Sequence, residues 1–337
     1  MSLKVKKIKE KSSWEKFIGE FGENSFCQSW DWGEVEKENG HEIFRYGVYE
    51  DNEIICLFLL VVTESRKGRY GYIAHGPVFK KKDGLGEKVK ILIKILKKIG
   101  KEEGLSFIRI GMMIDKDKGS LLKDSKLIKS PTHIYTDNFL ILDVEKDENE
   151  LMRRMRKTTR NLIRRAVKEK VVIVKSKDVK RVKVFYELLT KTAKRHHFSP
   201  YSLEFLENEF RQFLKDDNVL MIEGWYDGKL LTSAMIVFYG KSGFYHHGAS
   251  VLSKIPVSYL LQWEAIKETK KRGLKYYNFW GYAANDDKTH PFYGITKFKK
   301  GFSPSELEVV SNYDLVLNYR YWESYLIDCI RRVKRGH

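Results

Sequence analysis

The chain has 337 residues and a mass of 39.7 kDa, which is more than a single hydrophobic core usually serves, so two domains are expected. Hydrophobic residues make up 42% of the sequence and aromatic residues 13%, which excludes disorder over most of the length. The formal charge of +18 favours polyanionic partners such as nucleic acid, pyrophosphate groups or an anionic membrane surface. Charge that serves solubility alone is the alternative interpretation.

The cysteine content and the apolar runs exclude several other classes of protein. Cys27, Cys56 and Cys329 are too few and too scattered for a disulfide framework or a zinc site. The first residues are charged and lack the apolar stretch of a signal peptide. The longest apolar run covers residues 54–62, far short of the roughly 20 residues that span a bilayer. A soluble, cytoplasmic protein is expected.

Two parts of the chain repeat the same order of predicted elements. The first part contains a strand, an Asx turn, a return strand, a third strand, a helix and a short buried strand, over residues 44–50, 51–52, 54–62, 70–74, 87–103 and 104–111. The second part repeats that order over residues 219–226, 227–228, 230–239, 243–247, 257–272 and 273–281. Landmark residues keep offsets of 169 to 176, as in Asp51/Asp227, Gly76/Gly248, Gly104/Gly273 and Gly111/Gly281.

This repetition predicts a duplicated α/β domain with mixed sheets. A hairpin, a third antiparallel strand, a crossover helix and a parallel strand describe the GNAT acyltransferase fold, in which two central strands separate and the gap serves acyl transfer. The acidic segment 143–150 is a plausible connector. We therefore expect one GNAT-like domain over 1–144 plus 313–337, where the chain end packs back, and a second over 145–312.

Five short blocks of sequence narrow the function beyond the fold. They are Ser25–Gly33 with its Gln-Ser-Trp, the basic segment Met155–Ala166, His247–Ser250 followed by Tyr259–Ile266, Tyr276–Gly281, and Phe298-Lys299-Lys300-Gly301-Phe302. In this order they resemble the FemABX family. The chain lacks the long helical-arm insertion of the larger staphylococcal members, so it resembles the compact members of the family.

The resemblance implies a cytoplasmic aminoacyltransferase with paired GNAT-like domains. Its donor would be aminoacyl-tRNA, and its acceptor the stem-peptide amine of a peptidoglycan precursor, either lipid II or UDP-MurNAc-pentapeptide. The transferred residue would be Gly, Ala or Ser, and no cofactor beyond aminoacyl-tRNA is implied. We expect a monomer, and a lipid-linked acceptor would bring it into peripheral contact with the inner face of the membrane.

The Phe-Lys-Lys-Gly-Phe block carries the expected catalytic residues. Lys299 and the preceding Phe298 match the family's catalytic lysine and its aromatic neighbour. Attack on an ester creates an oxyanion, so a fixed cation beside the carbonyl is the most valuable single group. Lys299 is assigned that role, Lys300 is its rival, and Trp280 is expected to contact substrate.

The acceptor side departs from the family pattern. Lys37 can fill the role of the phosphate-binding lysine, although Glu36 could align there instead. Of the later acceptor positions, Tyr201 stands where arginine is expected, Phe205 where tyrosine is expected, Tyr245 fits, and His247 replaces a second tyrosine. A carboxylate after Arg109-Ile110 is missing, because Gly111-Met112 follows. His247 is a candidate phosphate ligand or proton acceptor, and substrate-assisted proton removal or a bound water is the alternative.

A basic helix is predicted over residues 151–170, with Leu151, Met155, Leu162, Ile163, Ala166 and Val167 as its buried stripe. Its cationic faces are typical of a surface that follows a phosphate backbone. The residues predicted to contact tRNA are Arg153, Arg154, Arg156, Lys157, Arg160, Arg164 and Arg165. Attraction to anionic lipid or precursor, and plain solvation, remain the alternatives.

Three other functions are weaker. Lys81-Lys82-Asp83-Gly84-Leu85-Gly86 is a loose pyrophosphate-loop pattern that would suit an acyl-CoA-dependent GNAT enzyme. A non-enzymatic RNA-binding protein would explain the charge but not the paired units. No metal site is expected, because His196-His197, His246-His247 and Asp286-Asp287 lack ligand spacing.

Overall fold

The computed structural model describes residues 3–22, 25–65, 68–80, 84–196, 198–283, 288 and 290–335. Its residues group into two compact units. Unit 1 contains the residues up to Asp137 together with those from Glu308 onward, and unit 2 is Asn138–Leu307. The boundaries predicted after 144 and 312 therefore move. Residues 138–143 form a strand in the sheet of unit 2, whereas Val310 N donates to Ile114 O of unit 1 at 2.8 Å.

The elements follow one another along the chain in three stretches. The first stretch is β1 (Leu3–Lys7), α1 (Lys11–Phe21), α2 (Trp30–Glu38), β2 (Glu42–Glu50), β3 (Glu53–Ser65), β4 (Gly68–Ile73), β5 (Val78–Phe79), α3 (Leu85–Glu102), β6 (Phe107–Ile110), a 3-10 helix (Lys116–Ser125) and β7 (Ile128–Lys129). The second is β8 (Asn138–Asp143), α4 (Glu148–Arg154), α5 (Lys157–Lys168), β9 (Val172–Ser176), α6 (Lys180–His196), α7 (Leu203–Leu214), β10 (Val219–Tyr226), β11 (Lys229–Tyr239), β12 (Ser242–Ser250), α8 (Val257–Lys271), β13 (Tyr276–Gly281), α9 (Tyr293–Lys300) and β14 (Ser305–Glu308). The third is β15 (Tyr313–Val316) and α10 (Tyr321–Arg335).

The sheet of unit 1 has the order β1-β2-β3-β4-β6-β15-β7, with β5 pairing on β3. All neighbours in this order are antiparallel except β4 and β6. The crossover between those two parallel strands is α3, whose apolar residues recur at helical spacing and face the sheet. The residues that α3 buries include Val89, Leu92, Leu96 and Ile99, packed against Phe58 and Leu60 of β3 and Ile108 of β6.

The sheet of unit 2 has the order β14-β8-β13-β12-β11-β10-β9. Strands β9 to β13 repeat the pairing of β1 to β4 and β6, with β12 and β13 as the parallel pair and α8 as the crossover helix. The duplication also extends further than the sequence indicated, because a strand and two helices precede each hairpin (β1-α1-α2 and β9-α6-α7). The predicted mixed α/β fold with a duplicated unit agrees with these pairings.

A buried ion network fixes the end of the chain to unit 1. The Arg109 guanidinium on β6 lies 2.8 Å from Asp314 Oδ1 on β15 and 3.1 Å from Asp328 Oδ2 on α10. Tyr321 donates its hydroxyl to Asp314 Oδ2 at 3.2 Å. A buried charge without partners is costly, so each of these groups requires the others.

None of the helices in the described part of the chain combines the length and the apolar character that a membrane-spanning helix needs.

Candidate acyl-transfer site

The two central strands of unit 2 separate along their length. The parallel register of β12 and β13 ends at Phe244 and Asn278, although β12 continues to Ser250 and β13 to Gly281. A gap therefore opens between two neighbouring strands at their carboxyl ends. This separation is the geometry that the GNAT-like pattern of elements predicted.

Both strands carry a β-bulge beside the gap. In β12 the register against β11 shifts so that His246 is an extra residue between Tyr245 and His247. In β13 the register against β8 shifts just before Gly281, where Trp280 adopts a left-handed φ of 64°. Bulges redirect side chains and are over-represented next to active sites.

The strained backbone at Trp280 is supported by its neighbours. Trp280 N donates to the side chain of Asn278 at 2.8 Å, which offsets part of the roughly 1–3 kcal/mol that such a conformation costs. The indole ring lies edge-on to Phe139, Phe244 and His246, with centroid distances of 5.7, 5.8 and 5.7 Å. Trp280, which was predicted to contact substrate, thus packs against β12 from the other side of the gap.

The equivalent position in unit 1 is closed. Gly111 N donates to Ile73 O, and Gly76 N donates to Gly111 O, both at 2.9 Å. Gly111 is the repeat counterpart of Gly281. Backbone hydrogen bonds therefore join the ends of β4 and β6 in unit 1, at the place where the strands of unit 2 remain apart.

Lys299 occupies the open end of the gap. Its Nζ donates to Gly281 O at 2.7 Å. In unit 1 the equivalent carbonyl, Gly111 O, accepts instead from the backbone N–H of Gly76. The side chain is only 6% exposed, and among the residues that the structure describes no carboxylate forms an ion pair with it. Burial lowers its pKa from 10.5 to about 7. The ring of Tyr245 lies 5.8 Å from Nζ.

The neighbours of Lys299 on α9 face elsewhere. Lys300, the predicted rival, forms an ion pair with Glu306 at 2.7 Å and lies over the ring of Tyr282. Phe298 packs against Tyr259, with ring centroids 4.8 Å apart, and lines a cavity of about 220 Å³. That cavity lies at the start of α8, and its other lining residues include Leu231, Val251, Ser253, Ile255 and Pro256. Of the two adjacent lysines, Lys299 is therefore the one that is buried and has no carboxylate partner among the described residues.

A carboxylate on α7 holds two histidines of β12. Adjacent residues of a regular strand point to opposite faces, but the bulge brings His246 and His247 together, with ring centroids 3.9 Å apart. Glu209 lies 2.6 Å from His246 Nε2 through Oε1 and 2.8 Å from His247 Nε2 through Oε2. Glu209 is fully buried; its Oε2 forms a hydrogen bond with His247 Nε2, and its Oε1 is in ion-pair contact with His246 Nε2.

The protonation of this triad follows from its partners. Burial would raise the pKa of Glu209, but the two imidazoles outweigh it and lower that pKa to about 2. Burial lowers the pKa of His246, against the attraction of Glu209. Glu209 is therefore ionised, and burial favours the neutral form of His246.

The same three residues include ligand types that suit zinc. Their ligand atoms lie within 4.8 Å of one another, and two imidazoles with one carboxylate are a known zinc set. His247 Nε2 forms a hydrogen bond with Glu209 Oε2 at 2.8 Å, and His246 Nε2 lies 2.6 Å from Glu209 Oε1. The prediction of no metal considered sequence spacing alone and overlooked Glu209. Asp286, Asp287 and His197, also considered there, lie outside the described residues.

Glu209 could have been found from the helical pattern of α7. It follows Phe205 by four residues, and its neighbours Leu206 and Phe210 are apolar and buried. A carboxylate at such a position requires a buried donor, and the adjacent histidines of the repeat were the candidates.

The predicted acceptor residues of unit 2 collect around this triad. Tyr201 stacks on Phe205, with ring centroids 4.4 Å apart, and lies 5.8 Å from the ring of His247. Tyr245 differs, because burial raises its pKa to about 12 and its hydroxyl bonds to Gln262. Tyr201, Phe205 and His247 are therefore one cluster, and Tyr245 is part of the packing beside Lys299.

Lys37 lies in unit 1, exposed near the end of α2. The neighbouring Glu36 is buried and accepts a bond from His41 Nδ1 at 2.6 Å. Of the two residues that could match the family's lysine, Lys37 is thus the one that reaches solvent.

The predicted basic helix is two helices, because the chain breaks at Met155 and Arg156 between α4 and α5. Arg160 bridges the break by donating to Arg153 O at 2.7 Å and Met155 O at 2.6 Å, so it satisfies carbonyls at the end of α4. The predicted buried stripe is also narrower, because Val167 is 60% exposed.

The cationic side chains of this segment fall into two groups. Arg153 and Arg154 share Glu150, and Arg165 pairs with Glu169. A second group is exposed, with no ion pair inside the described ranges: Arg156, Lys157 and Arg164.

The segment also contacts the helix that carries Lys299. Arg156 N donates to Gly301 O at 3.0 Å, and Ser303 donates its hydroxyl to Arg154 O at 2.8 Å. The Thr159 side chain approaches Gly301 so closely that a Cβ there would clash. The start of α5 is therefore fixed to the end of α9.

A buried lysine at the parted ends of two parallel strands, on a duplicated sheet, defines an acyltransferase of the GNAT type. The FemAB family model matches residues 10–114, 128–223 and 252–328, most of the chain. The protein belongs to the FemAB family.

The relatives agree with this assignment. The lipid II:glycine glycyltransferase of Staphylococcus saprophyticus is 22% identical and aligns over 90% of both chains. The crystal structure of FemX matches with a TM-score of 0.84 at 19% identity, over 97% of this chain and 100% of that one. A tandem GNAT protein from the clavulanic acid pathway matches at 0.57 and 8% identity, over 94% and 99%. The predictions of family, paired GNAT-like fold and aminoacyltransferase are confirmed.

Burial of Lys299 predicts a measurable cost to stability. Because its pKa is near 7 when folded and 10.5 when unfolded, the unfolded chain binds the extra proton between those values, and stability rises with pH across that window. Replacing Lys299 by Met should raise the free energy of unfolding at pH 7 by at least about 1 kcal/mol, and the gain should fall with rising pH and disappear above 10.5. Denaturant unfolding at several pH values measures this.

The ion-paired Lys300→Met is the matched control and should show no such gain. A Lys299→Met variant that is no more stable than the native protein at pH 7 would contradict the buried, uncompensated amine.

Proposed function

We propose that the protein transfers an amino acid from aminoacyl-tRNA to the stem-peptide amine of a peptidoglycan precursor. The observation that carries the proposal is Lys299, buried without a carboxylate at the open ends of β12 and β13. The named activity of the staphylococcal relative makes glycine the first residue to test and lipid II the first acceptor. Alanine, serine and UDP-MurNAc-pentapeptide follow from the family resemblance.

The reaction needs no covalent enzyme intermediate. The acceptor nitrogen attacks the ester carbonyl carbon, a C–N bond forms, and the C–O bond to the terminal ribose breaks. One proton leaves the amine and one reaches the ribose oxygen. The protein therefore has to align two large substrates, stabilise an oxyanion and handle these two protons.

Lys299 suits the leaving-group side of this reaction. Protonated, its Nζ stabilises the developing oxyanion, and a pKa near 7 allows it to pass a proton to the departing ribose oxygen. Phe298 packs on Tyr259 and lines the separate cavity at the start of α8, so we assign the reacting ester to Lys299 and not to Phe298.

His247 suits the amine side. It lies with Tyr201 and Phe205 on the β12 face that the bulge exposes, and Glu209 orients its imidazole. We assign it the proton from the attacking amine, in place of the carboxylate that this chain lacks after Ile110. This role replaces the phosphate-ligand alternative, because an ionised carboxylate at 2.8 Å disfavours a phosphate at the same place.

The tRNA side is assigned to the exposed cations of α5, with Arg156 and Lys157 at its start and Arg164 about two turns further on. Arg156, Lys157 and Arg164 have no ion pair within the described residues, and the first turn of α5 holds no acidic residue. Phosphates are attracted to such a helix start. The hydrogen bond from Arg156 N to Gly301 O brings this surface next to α9, the helix that carries Lys299. Arg153, Arg154 and Arg165 are paired and contribute less, and Arg160 has a structural role.

The enzyme is proposed to act as a cytoplasmic monomer without metal or cofactor, in peripheral contact with the membrane when its acceptor is lipid-linked. The acyl-CoA alternative rests on the segment before α3, of which Lys81, Lys82 and Asp83 lie outside the described residues. The closed strand ends of unit 1 disfavour it, because an acyl group needs the gap that only separated strands provide.

Transfer of labelled glycine from charged tRNA to lipid II tests the function, with UDP-MurNAc-pentapeptide and acetyl-CoA in parallel. Replacing Lys299 by Met should lower kcat by about 10²–10³-fold, as loss of an oxyanion donor does. Lys300→Met, which removes an ion-paired neighbour, should keep most of the activity. Acetyl transfer from CoA without any aminoacyl transfer, or an active Lys299→Met variant, would overturn the proposal.

Proton removal by His247 predicts a pH-dependent defect. His247→Gln and Glu209→Gln should lower kcat by about 10²-fold at pH 7, and the deficit should shrink toward pH 9.5 as solvent deprotonates the acceptor amine directly. The measurement is the pH–rate profile of each variant against the native enzyme. A deficit that stays constant with pH would assign both residues to structure alone.

Phosphate contact by α5 predicts a change in salt dependence. Replacing Arg156, Lys157 and Arg164 by Gln should reduce the slope of log affinity for tRNA against log salt by about three, since each lost contact removes about one. The matched control removes three exposed lysines of α3, namely Lys94, Lys97 and Lys101. Equal slopes for both variants would show that only net charge matters.

A further inference from the structure

The C-terminal helix α10 packs on the rest of unit 1 through its polar side. Tyr321, Ser324 and Asp328 are its most buried residues, at 0%, 1% and 1% exposure. Asp328 belongs to the ion network of Arg109, and Tyr321 bonds to Asp314. The residues that attach this helix to unit 1 are therefore hydrogen-bonding groups, the reverse of an ordinary surface helix.

The opposite side of α10 is apolar and exposed. Trp322, Leu326, Ile330 and Val333 follow at intervals of four, four and three, which places them on one face. Their exposures are 54%, 61%, 48% and 82%. At about 100° per residue this stripe points nearly opposite to Ser324 and Asp328. A contiguous apolar face of this kind marks a surface that is covered in use.

Exposed arginines lie at the two ends of α10, turned by more than about 100° from the centre of the stripe. Arg320 precedes α10, and Arg331 and Arg332 follow Ile330, all three exposed and without an ion pair among the residues described. An apolar face with a tryptophan, on a helix whose polar side carries exposed arginines at both ends, fits a bilayer interface with anionic headgroups.

We propose that α10 docks the protein on an anionic membrane, with Trp322, Leu326 and Ile330 in the headgroup region and Arg331 and Arg332 on lipid phosphates. The inference rests on the proposed function for its purpose, because a lipid-linked acceptor has its peptide stem at that surface. The physical claim about lipid binding stands independently of the reaction.

Sedimentation with large vesicles tests the proposal on the full chain. Native protein should bind vesicles of phosphatidylcholine with phosphatidylglycerol, and bind pure phosphatidylcholine at least about tenfold more weakly. Leu326→Glu should weaken binding to the mixed vesicles by about tenfold or more. Val172→Glu, at a residue of β9 that is 56% exposed, is the matched control and should bind as the native protein does. Arg331→Glu with Arg332→Glu should weaken binding without touching the apolar stripe.

Three results would overturn the proposal: native protein that does not bind the mixed vesicles, Leu326→Glu that binds as tightly as native, or a native dimer in sedimentation velocity that Leu326→Glu converts to monomers. Transfer assays separate this failure from failure of the enzyme function. Leu326→Glu should lose transfer to lipid II in vesicles but keep transfer to UDP-MurNAc-pentapeptide. Vesicle binding by a protein that transfers nothing would leave the docking surface intact and refute the reaction.

Discussion

The candidate site depends on one interrupted contact, the backbone pairing of β12 and β13. Because that pairing ends at Phe244 and Asn278, β12 does not pair with Gly281, and Lys299 donates to the Gly281 carbonyl. The duplicated unit 1 is an internal control, since there a backbone N–H closes the same position at Gly111. A sheet that gives up two ladder bonds has to satisfy their groups in another way, and the lysine does so while placing its amine at the opening.

A histidine occupies the same repeat position in both units, but its hydrogen-bond partners differ between them. His75 of unit 1 stands at the repeat position of His247, two residues after the end of β4. It is buried, accepts from Ser25 Oγ at 2.8 Å and donates to Thr136 O at 3.1 Å, and burial lowers its pKa to about 4. It is therefore a neutral structural histidine, whereas His247 faces an ionised carboxylate beside aromatic residues. Duplication thus kept the position of the histidine, and its partners decide what it can do.

Local patterns were sufficient for the fold and for part of the site. Alternating apolar residues and Asx turns predicted both hairpins, and the glycine spacing predicted the repeat, because strand period and turn chemistry are short-range properties. Lys299 was found through its motif. Glu209 was missed, although its position on the apolar face of α7 could be predicted from the helical pattern. Its contact with His246 and His247 could not, because only the folded sheet brings α7 against β12, and the bulge has no sequence signature. The basic segment was predicted as one helix for the same reason. The chain breaks at Met155, where the next residue donates its backbone N–H to Gly301 O, and only the folded unit provides that contact.

The C-terminal helix shows how a long-range constraint can reverse a local pattern. Trp322, Leu326 and Ile330 have the spacing that usually predicts a core-facing stripe. Arg109 is buried in β6, however, and its charge must be compensated by Asp314 and Asp328. Meeting that requirement turns the polar side of α10 inward and leaves the apolar stripe in solvent. Exposing those apolar side chains to water costs free energy, which is regained only when another apolar phase covers them. One buried arginine thereby links the stability of unit 1 to the surface that α10 presents.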